Sequence, residues 1–272
     1  MPDRLVSANV YVWMQTYARS HEDIGGHWPD VLDDLRAAGY PGVEPFLSVI
    51  ATDEAAADFD RMLEERELRA SSFYTGGQLH DASTAPETVA GILAAARRAP
   101  ALGARGLTVN PDPIGRRKTD AELATQAEAL NRLGEGLRAL GLGLWVHNHT
   151  PEMAEQGREL RHNLEATDPA LVGFCADVHW LWRGGGDPYA YLEQYADRLG
   201  ALHLRNSRDG VWSETLGDGD LDYRRVRRIL DEARFSGPLM VELALEEGTP
   251  HTQPLVESMR QSRAYLREVF GV

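Results

Sequence analysis

The feature that most constrains the fold of this chain is a regular alternation of short apolar runs with longer amphipathic segments. Eight apolar runs have the length of buried strands, and segments of helical period separate most of them. The runs begin about 25 to 38 residues apart, which is the length of a strand–helix unit with a right-handed crossover. The predicted strands are 5–13, 42–46, 68–74, 106–110, 143–147, 172–177, 201–205 and 238–245. The predicted helices include 28–38, 54–67, 87–98, 120–140, 223–233 and 253–269.

Eight such units predict an α/β fold, a (β/α)8 TIM barrel, in preference to an open doubly wound sheet. An open sheet of that kind usually has a glycine-rich turn after its first strand, and none follows residue 13. The chain has 272 residues, the usual size for such a barrel, and no low-complexity or proline-rich linker divides it. Residues 1–272 are therefore predicted to form a single domain.

The composition limits the partners and the compartment that we expect. The net charge is −14 and the sequence pI is near 5.1, so the surface repels phosphate backbones and nucleic acid is not an expected partner. No apolar stretch of about 18 residues is present to span a membrane, and the N-terminus lacks the basic and apolar blocks of a signal peptide. The single cysteine, Cys175, is predicted to be a small buried residue, and a cytoplasmic location is expected.

Three of the predicted strands end in a side chain that is able to bind a metal ion. Asp177 closes the sixth strand, and His203 and Glu242 lie in the seventh and eighth. Because the carboxyl ends of all strands meet on one face of a parallel barrel, these side chains are expected to converge. Carboxylate together with imidazole suits manganese, zinc, iron or cobalt, and this set is too rich in nitrogen to favour calcium.

The end of the fifth predicted strand offers three further candidates, and the sequence leaves the choice open. His147, His149 and Glu152 lie at or just beyond the end of that strand. We favour Glu152 as the metal ligand, since a second carboxylate balances the charge of a divalent ion, and His149 is the second choice. At least one of the three is expected to support the others through a hydrogen bond.

Other side chains near the strand ends are expected to line a substrate pocket. The predicted substrate-binding residues are Glu44, His147, His149, Arg205, Trp13, Trp180 and Trp212. The indoles would form apolar walls against which a substrate ring stacks, although a tryptophan at a barrel rim is also ordinary packing. Arg205 would bind a carbonyl, carboxylate or phosphate, or pair with a neighbouring acid. A substrate contact and a structural role are equally open for Glu44.

Five short motifs stand at or near the predicted strand ends. They are Gly-Tyr-Pro-Gly-Val-Glu44, His147-Asn-His149-x-x-Glu152, Asp177-Val-His179-Trp180, His203-Leu-Arg205 and Gly217-Asp-Gly-Asp220. In combination they resemble the sugar phosphate isomerase/epimerase superfamily of xylose isomerase-like barrels, and the similarity runs nearly end to end. The resemblance implies one divalent ion, often manganese, held by Glu, Asp, His and Glu from strands five to eight.

Asp177, His203 and Glu242 match that ligand set directly, and two positions depart from it. Many members have a glutamate where this chain has His147, and many have a lysine and an aspartate where this chain has Arg205 and Asn206. Manganese is the ion that we expect first, with zinc, magnesium, cobalt or iron as the others.

The predicted function is a metal-dependent isomerase or epimerase that transfers a proton between adjacent carbons of a sugar or keto-sugar through an enediolate. Glu152 and Glu242 are predicted to move the proton, with His179 orienting the substrate or shuttling protons. The alternative enzyme is a dehydratase of a cyclic keto-polyol, similar to inosose or dehydroshikimate dehydratases. A non-catalytic metal- or sugar-binding barrel is the alternative outside the enzymes. A homodimer is compatible with either class.

Overall fold

The computed structural model describes residues 5–272 as a parallel β-barrel surrounded by helices. The barrel strands are β1 (Val6–Asn9), β2 (Gly42–Glu44), β3 (Arg69–Ala70), β4 (Phe73–Gly77), β5 (Gly106–Pro111), β6 (Gly143–Val146), β7 (Val172–Asp177), β8 (Leu199–Leu204) and β11 (Leu239–Val241). A separate antiparallel hairpin consists of β9 (Ser207–Arg208) and β10 (Val211–Trp212).

The sheet closes into a barrel because its two edge segments belong to one bent strand. Neighbouring strands follow the order β3-β2-β1-β11-β8-β7-β6-β5-β4, and only Ser71 and Ser72 separate β3 from β4. Tyr74 of β4 bridges to Phe46, and its N–H donates to the carbonyl oxygen of Pro45 at 2.8 Å. The prediction of a (β/α)8 barrel is confirmed.

The helices cover the outside of the barrel and pack an apolar layer against the strands. The α-helices are α1 (Tyr11–Arg19), α2 (Trp28–Ala38), α3 (Asp53–Glu64), α4 (Ala85–Ala96), α5 (Asp120–Ala139), α6 (Thr150–Glu165), α7 (Val178–Arg183), α8 (Pro188–Gln194), α9 (Tyr223–Glu232) and α10 (Leu255–Phe270). Short 3-10 helices lie at Ile24–His27, Leu47–Ile50, Ala99–Leu102 and Ala196–Arg198. Between residues 5 and 272, no helix combines the length and the apolar character needed to cross a bilayer.

Local side-chain chemistry sets several helix boundaries close to the predicted ones. At the start of α5, the N–H of Glu122 donates to Thr119 Oγ1 at 3.2 Å, and the N–H of Thr119 donates to Glu122 Oε2 at 2.7 Å. This reciprocal pair is a capping box that satisfies two otherwise unpaired donors. Helix α2 ends at Gly39, whose φ of +83° lies in the left-handed region that favours glycine.

The first predicted strand is too long, because β1 ends at Asn9 and α1 begins at Tyr11. The N–H of Tyr11 donates to Asn9 Oδ1 at 2.8 Å, which turns the chain out of the sheet and into the helix. Residues 10–13 are apolar, and a short apolar run does not by itself distinguish a buried strand from a buried helical turn. No bounds were predicted for helices α1, α6, α7 and α8, and α6 contains a non-helical kink at residues 154–157.

The interior of the barrel is closed by Trp145 at the amino-terminal ends of the strands. Its indole forms a small cluster with Cys175, Ala201 and Met240, separate from the main apolar core. Space for the ring comes from glycines near the starts of four strands, Gly106, Gly143, Gly173 and Gly200. Cys175 is buried, as predicted.

Replacing Gly200 with alanine should destabilise the barrel, because the added Cβ would lie 2.1 Å from Trp145 Nε1. We expect a loss of about 1–3 kcal/mol in the free energy of unfolding, the usual range for an overpacked core. Chemical denaturation measures it. The matched control is Gly91→Ala in α4, where an added Cβ has no heavy atom within 4 Å. The control should gain about 0.5–1 kcal/mol from helix propensity. Equal stability of the two variants would contradict this account of the barrel floor.

Candidate metal centre

Four side chains converge at the carboxyl-terminal end of the barrel. They are His147 directly after β6, Asp177 at the end of β7, His203 in β8 and Glu242 directly after β11. One nitrogen or oxygen donor from each lies within 4.8 Å of the others, and all four residues are buried. The three residues predicted from the strand ends are therefore brought together, and His147 is the fourth member of the group.

The parallel register holds the strands that carry these side chains next to one another. Asp177 is paired with His203 across β7 and β8, and His203 is paired with Met240 across β8 and β11. The N–H of Glu242 donates to the carbonyl oxygen of Leu204 at 3.0 Å, which extends the ladder beyond β11. The sheet thus fixes the backbone on which the donor groups stand.

The group has the composition that a divalent cation requires, and its imidazoles have nitrogens without a hydrogen-bond partner. His203 Nδ1 lies 2.8 Å from Glu242 Oε2. His147 Nε2 lies 3.8 Å from Asp177 Oδ2 and 4.0 Å from Glu242 Oε2. Both ring nitrogens of His147 are buried without a hydrogen-bond partner, and buried polar atoms are rarely left in this state. Burial holds the pKa of His147 well below its usual range, so the neutral ring keeps a lone pair for an ion.

Glu44 lies beneath this group and orients His203. Its carboxylate accepts hydrogen bonds from His203 Nε2 at 2.6 Å, Thr108 Oγ1 at 2.6 Å, Asn9 Nδ2 at 2.7 Å and Ser72 Oγ at 2.7 Å. Burial alone would raise the pKa of Glu44, but His203 and the other donors hold it below its ordinary value. With Nε2 committed to Glu44, the His203 ring presents Nδ1 to the centre of the group. Glu44 is fully buried and does not line the pocket described below.

Arg205 contacts two members of the group from the pocket side. Its Nη2 donates to Asp177 Oδ2 and to Glu242 Oε2, each at 2.5 Å. The guanidinium carbon lies 5.5 Å from the centre of the Trp180 ring and 5.1 Å from that of Trp212. Arg205 therefore both neutralises two carboxylates and lies against two aromatic rings.

A cavity of about 280 Å³ opens above the group. It is lined by Asn9, Tyr11, Met14, Phe46, Tyr74, His149, Trp180, Arg205, Trp212 and Glu242. Five of these residues, His149, Trp180, Arg205, Trp212 and Glu242, are among the site residues that the sequence predicts. The other five come from the segments around the first strands, where the only available signal was polar and aromatic residues after a strand end. Burial lowers the pKa of His149 to about 4, so this pocket residue is neutral at physiological pH.

Glu152 is not part of the converging group. It lies in the first turn of α6, where its Oε2 accepts a hydrogen bond from the N–H of His149 at 2.7 Å. Its Oε1 is buried without a hydrogen-bond partner. Burial raises the pKa of Glu152 to about 7, and the hydrogen bond from His149 offsets this only in part. The Glu152 carboxyl therefore caps the N-terminus of α6 by accepting a backbone hydrogen bond.

His179 and Trp13 also lie away from the pocket lining. His179 is fully buried, its Nε2 lies 2.8 Å from Ser207 Oγ, and its Nδ1 accepts a hydrogen bond from Trp212 Nε1 at 3.3 Å. Since both ring nitrogens are engaged, the ring positions the β9–β10 hairpin. Trp13 lies in α1, and its indole donates to Asp34 Oδ2 at 3.0 Å within the core. Its predicted role as a pocket wall is not supported, because residue 13 is helical and points to α2.

The hairpin that carries Trp212 is held from two further sides. Ser207 Oγ donates to Asp220 Oδ2 at 2.6 Å, and Asp220 also accepts from the N–H of Gly210 at 2.8 Å. Glu246 accepts from the N–H of Trp212 at 2.8 Å and forms a bidentate pair with Arg183, both bonds at 2.9 Å. The guanidinium of Arg183 lies 4.6 Å from the centre of the Trp212 ring. Trp212 is thus a rigid wall of the pocket.

Comparison with protein families identifies the fold. Residues 32–269 match the family model described as the xylose isomerase-like TIM barrel. Among curated relatives, the inosose dehydratase of Clostridium tetani is 28% identical over 168 residues. That match covers 55% of this chain and 55% of the relative, so the chain spans about half the length of the curated relatives it matches.

Solved structures share the architecture over almost the whole chain. A sugar phosphate isomerase/epimerase from Parabacteroides distasonis superposes with a TM-score of 0.77 at 19% identity, covering 98% of this chain and 94% of that one. A xylose isomerase-like TIM barrel protein from Mycobacterium smegmatis, in complex with magnesium, has a TM-score of 0.76 at 19% identity, with 98% and 97% covered. A D-allulose 3-epimerase from Methylomonas, in complex with D-allulose, has a TM-score of 0.75 at 15% identity, with 98% of both chains covered. At these identities the likeness shows the fold alone.

Replacing Glu152 with glutamine should stabilise the metal-free protein at high pH and leave its stability unchanged at low pH. The folded state keeps the Glu152 proton up to about pH 7, whereas an unfolded glutamate releases it near its ordinary value of 4.5. The wild type therefore loses stability as the pH rises between these values, because the folded state binds more protons than the unfolded state. We expect the variant to gain about 1–3 kcal/mol at pH 8, from 1.36 kcal/mol for each pKa unit.

The measurement is denaturant unfolding in EDTA from pH 4 to pH 8. The control is Glu64→Gln at an exposed position of α3, whose curve should run parallel to that of the wild type. A constant difference between wild type and Glu152→Gln at every pH would show that Glu152 is not a buried, protonated carboxyl.

Proposed function

Because the chain belongs to the xylose isomerase-like TIM barrel family, we propose that it is a divalent-metal-dependent enzyme acting on a sugar-like keto-polyol. The proposed reaction removes the proton from a carbon beside a carbonyl group and then eliminates water. The observation that carries this proposal is the convergence of His147, Asp177, His203 and Glu242 at the floor of an aromatic-lined pocket. Buried donors of this kind beneath a cavity are a usual setting for metal-assisted proton abstraction.

His147, Asp177, His203 and Glu242 are the residues that we propose would hold the ion. Two imidazoles and two carboxylates suit manganese, with zinc, iron and cobalt close in preference. Magnesium, which the Mycobacterium smegmatis neighbour contains, prefers a set with more oxygen donors. When bound, the ion supplies Lewis acidity that polarises the substrate carbonyl and lowers the pKa of the adjacent C–H group.

Glu242 is the residue that we assign to proton transfer. Among the residues that the structure describes, it is the only carboxylate on the pocket lining. Its carboxylate would take the proton from the α-carbon, and the electron pair of that bond would form the enolate. The same carboxylate would then return the proton to the hydroxyl group leaving the β-carbon, giving water and a conjugated enone. One base on one face of the substrate is sufficient for this sequence.

Elimination is favoured over epimerisation because no second carboxylate from residues 5–272 lies on the pocket lining. Epimerisation removes a proton from one face of the carbon and delivers one to the other face, so it needs two proton-transferring groups. Glu152, predicted as the second group, has its carboxylate at the start of α6, and we do not assign it a role in metal binding or proton transfer. His179 is assigned a positioning role, since both of its ring nitrogens are engaged.

Epimerisation or isomerisation of a keto-sugar is the second candidate function. The observation that favours it is His149, a neutral imidazole on the pocket lining. Its ring centre lies 4.6 Å from that of His147. His149 would serve the opposite face of the substrate, in the role that the sequence assigned to Glu152. The D-allulose 3-epimerase of Methylomonas shows that this fold accommodates such a ketose.

Product analysis in deuterated buffer separates these functions. Protein depleted of metal and reloaded with Mn²⁺ is incubated with a panel of inososes, cyclic keto-acids and ketoses. We expect an ultraviolet-absorbing enone and a loss of one water from a cyclic keto-polyol. Exchange of a C–H proton without a new chromophore would instead support the second candidate. Ligand binding without either change would overturn the enzymatic proposal.

Glu242→Gln should lower turnover of the identified substrate by about 10²–10⁴-fold, the usual contribution of a general base. The matched control is Glu257→Gln in the first turn of α10, outside the pocket lining, which should leave turnover unchanged. Circular dichroism confirms that both variants are folded. Turnover of Glu242→Gln within twofold of the wild type would show that another group transfers the proton.

Glu44→Gln should weaken binding of Mn²⁺ by about 10–100-fold, the usual effect of losing the carboxylate that orients a metal-bound histidine. A glutamine side chain is uncharged, so its hydrogen bond from His203 Nε2 is weaker. The His203 ring is then held less firmly with Nδ1 toward the centre of the group. Titration calorimetry gives the affinity, and thermal unfolding in EDTA gives the stability. A loss of stability with unchanged Mn²⁺ affinity would mean that Glu44 only supports the barrel.

A further inference from the structure

Arg205 holds the two carboxylate oxygens that the metal centre needs. Asp177 has only one oxygen available, because its Oδ1 accepts a hydrogen bond from the N–H of Trp180 at 2.8 Å, where it caps α7. The other oxygen, Oδ2, is the one bound by Arg205 Nη2 and the one that faces His147. Glu242 Oε2, which faces both His147 and His203, is bound by the same nitrogen.

The guanidinium and an ion therefore compete for the same atoms. Both are cations, and both are stabilised by the same two negative charges in a buried site. Two cations on shared oxygens repel each other strongly where water is excluded. A divalent ion that binds Asp177 Oδ2 and Glu242 Oε2 must either displace Arg205 or bind with much reduced affinity.

The structure also provides a place for the displaced side chain. Arg205 lines the cavity, and its guanidinium lies near the rings of Trp180 and Trp212, which line the same cavity. Its Nε is buried without a hydrogen-bond partner, so the present position leaves one donor unsatisfied. A guanidinium that moves along these rings keeps its aromatic contact while its donors face the cavity.

We infer that Arg205 is an internal competitor for the metal centre. It neutralises Asp177 and Glu242 in the metal-free protein, and ion binding displaces it into the cavity, where its donors contact the oxygen atoms of the substrate. This inference rests on the proposed function, because it assumes that an ion binds at these residues. It also has a consequence of its own. Binding of the ion moves Arg205 into the cavity, so the ion site is filled and the substrate site is completed together.

The test compares Mn²⁺ affinity, by titration calorimetry, in the wild type, in Arg205→Gln and in a matched control. The control is Arg183→Gln, which removes a guanidinium that lies 4.6 Å and 5.7 Å from the Trp212 and Trp180 ring centres. Arg183 is bound to Glu246 and not to Asp177 or Glu242. We expect Arg205→Gln to bind Mn²⁺ about tenfold more tightly than the wild type or better, because no charge has to be displaced. Arg183→Gln should stay within about twofold of the wild type.

The outcomes distinguish this inference from the proposed function. Equal or weaker Mn²⁺ binding by Arg205→Gln would show that Arg205 does not compete with the ion, and it would not contradict the proposed metal centre. Binding of Mn²⁺ by neither protein would overturn the metal centre and the inference together. If Arg205→Gln does not fold, wild-type crystals grown in EDTA and in Mn²⁺ decide the question. Loss of both Nη2 contacts on Mn²⁺ binding supports displacement, and their retention beside a bound ion refutes it.

Discussion

The site depends on the balance between buried carboxylates and the cations that offset them. Glu44 and Asp177 are completely buried and Glu242 is 5% exposed. A buried carboxylate without a partner costs several kcal/mol, so the barrel is stable only if positive charge or strong donors lie next to each one. Arg205 supplies this for Asp177 and Glu242, and the four donors around Glu44 supply it there. A divalent ion bound to Asp177 and Glu242 would offset their negative charge in the same way. This explains why a guanidinium lies beside a candidate ion-binding group.

The two ends of the barrel interior differ in character: one is an apolar core that stabilises the fold, and the other carries the candidate site. At the amino-terminal end, Trp145 is packed against glycines and forms an apolar floor. At the carboxyl-terminal end the converging residues are charged or polar, and the neighbouring strands β7, β8 and β11 carry or lead into three of them. A rigid floor lets the sheet hold the donors in place without help from the loops. The loops are then free to shape the pocket, and the hairpin with Trp212 does so.

The sequence predicted the architecture well because periodicity and strand ends are local signals. Asp177 and His203 could be placed because each lies at the end of an apolar run, and parallel strands end on one face. The choice at the fifth strand could not be made in this way. The charge argument favoured Glu152, whereas the structure begins α6 at Thr150 and uses Glu152 to cap it. A signal was present, since Pro151 near a helix start followed by glutamate is typical of an N-terminus.

Trp13 was misplaced for a related reason, because a run of apolar residues continued past the point where Asn9 turns the chain. The contacts of His179 and Arg205 were also beyond prediction, since their partners are distant in the sequence: 28 residues separate His179 from Ser207, and 28 separate Arg205 from Asp177. Such pairs form only when the barrel closes. Sequence position identified the residues that converge, and the structure was needed to assign their partners.

His147 in the converging group changes the electrostatics of the centre as well as its ligand chemistry. When both imidazoles bind an ion in their neutral form, the set carries two negative charges from Asp177 and Glu242, which equal the charge of a divalent ion. A third carboxylate in the place of His147 would leave the loaded centre anionic and would weaken its pull on a substrate carbonyl. A neutral centre would polarise a carbonyl more strongly, and Glu242 is the one carboxylate among the described residues that line the pocket. These two features are the reason why we propose the loss of a hydroxyl group from an enolate in preference to the transfer of a proton from one face of the ring to the other.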